Sequence, residues 1–371
     1  MRKNKLLALI GGWLTIFSFG SKEIQAQEGA VLRLGVIGLV HDHVHWVFNR
    51  ENRDIQVVGI VETNPKAVVK YKERYGLPDS LFFESYEALM LKAKPEAVSA
   101  FNETNEHLEV VEYFAPMGIP IMVEKPMAST FKDAQRMVEL ADLYQVPLLV
   151  NYETSWYEST YEVERILRKG GLGGVTKLVF NTGHMGPKEI GCSPEFLEWL
   201  TDSIRNGAGA LTDFGCYGAN IATWLLEGEV PIRVTAVAKQ VKPMVYPNVD
   251  DDTTILLEYE NKQVVIQASW NWPFHRKDME VYGTKGTVYA LNARKMNWLD
   301  YDSGESRVHI PEEIAQHEKD PFRMLFEVVH QGRMVKEESL YGKGNNLKVS
   351  KILELAKISS ALGRSVEWDE L

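Results

Sequence analysis

The stretch GLVHDHVHW, Gly38 to Trp46, sets histidines at three alternate positions, His41, His43 and His45, with Asp42 among them, directly after an apolar run. Two chemistries fit those residue types at that spacing. One is metal ligation of the Asp-x-His-x-His kind. The other is a nucleotide-binding turn, where a strand ends at a glycine and the free N–H groups opening the next helix receive a pyrophosphate.

Metal hydrolysis on an eight-fold barrel needs further ligands from later strands. Besides His43 and His45, the chain offers His107, His184, His275, His309, His317 and His330. His107 opens a helical stretch, and the last three lie in polar sequence with little pattern. The second half also lacks the alternating helices that such a barrel requires. No metal is expected.

The nucleotide reading has better context. Glu62 ends the second strand-like run, 24 residues after Gly38. An acidic residue near that spacing accepts a hydrogen bond from a ribose 2′-OH and repels a 2′-phosphate, so NAD is expected over NADP. The turn departs from G-x-G-x-x-G, because Val40 and His43 stand where glycines would be. Val40 hinders close approach of phosphate. Asp42 is expected to cap the following helix, with His41 or His43 offsetting its charge.

These residues need elements to hold them. Apolar runs at 31–39, 55–62, 97–101, 119–124 and 146–151 alternate with helical patterns at 64–76, 105–118 and 130–145. Pro65 starts one such helix and Gly76 stops it. Strands alternating with helices predict a doubly wound parallel sheet of the Rossmann type over residues 31–151. The texture then changes. After a helix ending in glycines at 170–174, the runs VTKLVFNTG, IRVTAVAKQV, TTILLEYEN, KQVVIQASWNW, DMEVYGTKGTVYAL and KMNWLDYD follow without intervening helices. They predict an α+β domain over 152–366 with a mostly antiparallel, open-faced sheet. A last helix, 346–362, is expected to pack back on the first domain.

The chain has 371 residues, 45% of them apolar and 25% charged, which suits two globular domains. A net charge of −10 argues against a nucleic-acid partner. Arg2, Lys3 and Lys5 precede an apolar stretch ending at Phe19, and a small-residue exit follows at Ala26. Residues 1–26 therefore read as a Sec-type signal peptide. The expected location is periplasmic or secreted, with no membrane association after its removal. Cys192 and Cys216 are the only cysteines; two small buried residues are the simpler reading, and pairing stays open.

VEKPM, Val123 to Met127, resembles the Glu-Lys-Pro that ends the fifth strand in the glucose–fructose oxidoreductase, inositol dehydrogenase and MocA (Gfo/Idh/MocA) family. The segment from Asn102 through Asn105 to His107 lies upstream of it, and GALTDFGCYGAN, 209–220, resembles the family's second signature. The resemblance runs in order over roughly residues 32 to 366. It implies a nicotinamide cofactor contacted by Gly38, Val40, His41, His43, Glu62, Asn102, Asn105, His107, Glu124, Lys125 and Pro126. It also implies catalysis by Lys125, with Asp213 orienting the substrate. Tyr217 stands where many members carry a histidine.

Oxidising a secondary alcohol requires a group to take the hydroxyl proton as hydride leaves. Lys125 is expected to polarise the oxygen, with its pKa lowered by burial or a neighbouring cation. Tyr217, a phenol beside that cation, is expected to be acidified and to accept the proton. Pro126 fixes the chain after the lysine, and the sequence leaves a cis bond there open. Trp156, Tyr157, His184, Asn220, Trp272 and His275 are the expected substrate-lining residues. The expected activity is NAD(P)-dependent oxidation of a sugar, cyclitol or related polyol. Two alternatives use the same parts: a glycoside lyase or hydrolase with a retained NAD, and a sugar-binding member that has lost redox activity. A homo-oligomer through the second sheet is expected.

Overall fold

The computed structural model describes residues 30–371, so the expected signal peptide lies outside the described residues. Six parallel strands form the first sheet: β1 (Leu32–Ile37), β2 (Ile55–Val61), β3 (Phe82–Phe83), β4 (Ala97–Ala100), β5 (Ile121–Glu124) and β6 (Leu148–Asn151). Their order is β3-β2-β1-β4-β5-β6. Strands β4, β5 and β6 are buried at every position. Helices cover both faces, which is why these strands read as continuous apolar runs.

The order reverses between β1 and β4. Ligands in such sheets bind beyond the carboxyl ends of the strands at that switch point. Gly38, Glu62, Phe101 and Lys125 each directly follow one of these strands, so the fold gathers them along one edge. Helix Pro65–Tyr75 is capped by the Asn64 side chain and ends at Gly76, in the left-handed region at φ 63°. The helix expected after the glycine turn is only a 3₁₀ turn, Asp42–Val44, followed by a single turn, His45–Phe48.

The second sheet has nine strands: β7 (Val175–Gly183), β8 (Arg233–Lys239), β9 (Asp252–Glu258), β10 (Gln263–Ser269), β11 (Arg276–Gly283), β12 (Gly286–Ala290), β13 (Met296–Asp300), β14 (Ser306–His309) and β15 (Val366–Glu367). Their order is β14-β13-β12-β11-β7-β10-β9-β8-β15. All pairings are antiparallel except β7 with β10. Burial alternates along β9 and β10, as in a sheet packed on one face. Helices Gly215–Leu225 and Lys343–Leu362 pack on it, and the latter also lies against helix Phe131–Leu143 of the first layer.

The pattern did not reveal helices Tyr86–Lys92, Pro194–Leu200 and Pro321–Gln331, or the short strands β3, β14 and β15. Among the described residues no helix is long and apolar enough to cross a membrane. Both cysteines are free.

Candidate active site

Lys125 sits just past β5, where the chain turns through a cis Lys125–Pro126 bond. Its ammonium is 5% exposed and lies 2.5 Å from the Asp213 carboxylate and 3.1 Å from the Asp213 carbonyl. Asp213 ends the short helix Ala210–Asp213. That helix is held at its start by Asp250, whose carboxylate accepts from the N–H groups of Gly209 and Leu211, each at 2.7 Å. A Cβ on residue 209 would meet the Asp250 carbonyl at 1.8 Å, so only glycine fits. The other Asp213 oxygen accepts from Trp270 Nε1 at 3.0 Å.

Burial alone would lower the Lys125 pKa, but Asp213 outweighs it and holds the ammonium above its ordinary value. Burial alone would raise Asp213, and Lys125 pulls it below the usual carboxylate range. The expected lowering of the Lys125 pKa is therefore wrong in sign.

Tyr217 is also corrected. It is fully buried and lines none of the principal cavities. Lys125 and Lys277 sit over its ring at 5.2 and 4.8 Å from the centroid. Burial and the charges of Glu153, Cys216, Asp213 and Glu124 push its pKa well above the ordinary phenol value. The expected acidification by neighbouring cations is therefore wrong in sign: burial outweighs Lys125 and Lys277 over the ring face.

Lys125 and Asp213 open into a cavity of about 570 Å³ shared with His41, His43, His184 and His275. Tyr157, Glu153 and Lys277 also line it, and the last two form an ion pair. Sequence reasoning missed Lys277 and Glu153. Strand parity could have found Lys277, two residues from His275 on the same edge. Burial lowers the His184 pKa to about 4, so the ring is neutral.

Several expected residues lie elsewhere. Asn220 is wholly buried and donates to Leu340 O and Asn346 Oδ1, so it braces the last helix and reaches no substrate. Trp272 lies under the Arg276 guanidinium and lines none of the principal cavities. Asn105 is exposed and outside them too. His107 is buried, hydrogen-bonded to Met127 O at 3.0 Å, and burial lowers its pKa to about 4. Glu124 is buried between Asn151 and His43. Trp156 lines a neighbouring cavity, and Tyr157 lines both.

The three alternate histidines diverge. His45 pairs with Tyr75 at 2.6 Å, His43 with Glu124 at 2.9 Å, and His41 turns inward under Phe196 and Trp199. His41, His43 and Glu124 do bring ligand atoms within 4.8 Å of one another. However, His41 Nδ1 accepts the His43 N–H, so its buried Nε2 carries the proton of the neutral ring and suits an acceptor.

The first turn bears on a dinucleotide. Gly38 has φ 79°, and a Cβ there would lie 2.5 Å from the Asn102 nitrogen. A cavity of about 540 Å³ opens beside it, lined by Gly38, Val40, Glu62 and Asn102. Asn102 Oδ1 is buried without a partner among the described residues. Together with Lys125 on the far side, these residues fit the two ends of a dinucleotide. The crossing between them is closed by segment 193–200. Asp42 does not cap its helix; it accepts from Ser193 N at 3.0 Å and Ser193 Oγ at 2.7 Å. Trp199 Nε1 reaches Val40 O at 3.4 Å. The amides of Leu39, His41 and His43 are taken by Glu62, Phe101 O and His41.

The chain matches the oxidoreductase family with an NAD-binding Rossmann fold over residues 32–152, and the Gfo/Idh/MocA C-terminal domain over 160–289. It belongs to the Gfo/Idh/MocA family of oxidoreductases. The chain is 22% identical to D-apiose dehydrogenase of Rhizobium rhizogenes over 92% of this chain and 97% of that one. It is 25% identical to trans-1,2-dihydrobenzene-1,2-diol dehydrogenase of Xenopus tropicalis, over 63% and 67%. In fold it resembles an aldose-aldose oxidoreductase of Caulobacter crescentus complexed with glycerol. That match has TM-score 0.75 and 23% identity, covering 91% of this chain and 99% of the other.

Proposed function

We propose that this chain oxidises a secondary alcohol of a sugar, cyclitol or related polyol, or reduces the matching carbonyl, with NAD rather than NADP. The observation that carries the reading is the buried Lys125–Asp213 pair on the wall of the 570 Å³ cavity. Lys125 keeps its proton, so its ammonium donates to the reacting oxygen and stabilises the negative charge that develops there. Asp213 orients that ammonium; as hydride leaves, the hydroxyl proton passes to Nζ while Nζ hands one of its own to the Asp213 carboxylate, so the pair ends with Lys125 still charged and Asp213 protonated. Gly38, Glu62 and Asn102 would hold the nucleoside end of the cofactor. A nicotinamide bound beside Lys125 supplies the hydride acceptor.

NAD is favoured because Glu62, Glu84, Glu87, Glu103, Glu106 and further carboxylates line the nucleoside cavity against one guanidinium, Arg205. A 2′-phosphate would be repelled there. Segment 193–200 would have to leave the turn for a dinucleotide to cross it. Export by the N-terminal segment and pairing of two copies through the second sheet complete the proposal.

The closed turn by itself favours a redox-silent sugar binder, and a retained-cofactor lyase shares the parts of the oxidoreductase reading. Purified protein mixed with NAD and a panel of polyols separates the readings. Net formation of reduced nicotinamide supports oxidation, glycoside cleavage without it supports the lyase, and saccharide binding without nicotinamide binding supports the silent binder.

A further inference from the structure

A larger cavity, about 620 Å³, adjoins the Lys125 cavity, and Glu153 and Tyr157 line both. Its walls include Trp46, Arg50, Trp156, Glu158 and Arg294. We infer that it is a second saccharide subsite, so that the substrate is a glycoside of at least two rings, one at Lys125 and the other between Trp46 and Trp156. The inference rests on the carbohydrate reading proposed above.

Both tryptophans are fixed from behind. Trp156 Nε1 donates to Asn151 Oδ1 at 2.8 Å, and Asn151 Nδ2 donates to Glu124 Oε1 at 2.6 Å. The other Glu124 oxygen holds His43 at 2.9 Å, and His43 stacks on Trp46 at 4.1 Å and 14°. Trp156 also stacks on Tyr341 at 5.6 Å and 10°. One linked set of contacts thus ties both indoles to the residue preceding Lys125. The Trp156 indole N–H is already used, which leaves that ring a stacking surface. Rings held this rigidly lose little freedom on binding.

Most of the charges lining this cavity are paired. Arg50 pairs with Asp54 and Asp320, while Arg294 and Lys319 both pair with Glu158, at 3.1 and 3.3 Å. Such walls call for a neutral ligand with many hydroxyl groups. A pyranose offers C–H faces to the indoles and a polar edge to the paired side chains. An aromatic aglycone would cover those ion pairs without a hydrogen bond for their remaining donors and acceptors.

Isothermal titration of the full mature chain with glucose, galactose and mannose, and with the disaccharides cellobiose, maltose, lactose and mannobiose, tests this. At least one disaccharide should bind about tenfold tighter than its monosaccharide. Trp46→Ala should cut that ratio to about twofold or less. Ala293→Trp, which plugs the second cavity from an irregular loop, should do the same without deleting an aromatic contact. Equal affinities in the natural chain, or equal losses for both sugar classes in the variants, would overturn the subsite. Binding of no saccharide at all would also remove the carbohydrate reading beneath it.

Discussion

Ser193→Ala should tighten NAD binding. Ser193 Oγ donates to Asp42 at 2.7 Å and accepts from Phe196 N at 3.2 Å, so it both latches segment 193–200 to the glycine turn and caps its helix. A partly exposed charge-assisted bond contributes about 1 kcal/mol, and the loss of an N-cap costs about 1 kcal/mol. The Ser193 N–H bond to Asp42 survives the change, so the closed form loses about 1–2 kcal/mol. If the closed form dominates, that loss passes into apparent affinity as about a 5- to 30-fold fall in Kd. The variant leaves the Asp42 charge in place, so reduced repulsion of phosphate cannot account for the gain. Calorimetric titration with NAD reads it directly. An unchanged or weakened affinity would refute the idea that this segment competes with the dinucleotide.

The Lys125–Asp213 pair should cost stability as well as serve chemistry. Lys125→Met and Asp213→Leu should each destabilise by about 3–5 kcal/mol in urea, and the double variant should recover most of that loss. Independent, additive losses would contradict the pairing. Glu153, held down to about 2 by Lys277 and Tyr157 against its burial, from 4.5, contributes stability above pH 4.5 that is lost as pH falls through about 2. Glu153→Gln should flatten the acid limb of a pH–stability curve, and an unaltered limb would count against that ion pair. Glu106, raised by burial and Glu103 to about 7 from 4.5, opposes folding increasingly as pH rises between those values. Glu106→Gln should therefore raise Tm at pH 8 and have little effect at pH 4, a difference read by thermal melts at the two pH values.

The first layer was legible because each strand is buried on both faces and reads as an apolar run, while Asn64, Pro65 and Gly76 mark a helix by local chemistry. Helix Pro194–Leu200 was not. It is seven residues long, and what fixes it is distant in sequence: Asp42 at one end and Val40 beneath Trp199. The resemblance implied that Lys125 and Asp213 serve one site, but neither their ion pair nor the sign of the Lys125 pKa shift was legible. Those depend on a contact across 88 residues that sequence spacing cannot report. Asn220 misled because its place in the motif suggested a substrate contact, whereas the last helix folds back over it and takes its amide. Val40, His43 and Asp42 did mark the turn as unusual, and the structure supplies the reason in segment 193–200.

The most direct test compares hydride transfer by the natural chain and by Lys125→Met, with NAD and the best substrate of the panel. The account predicts reduced nicotinamide from the natural chain and a fall of about 10²- to 10⁴-fold in kcat for the variant, with NAD still bound. Equal rates, or a natural chain that binds no nicotinamide, would contradict it.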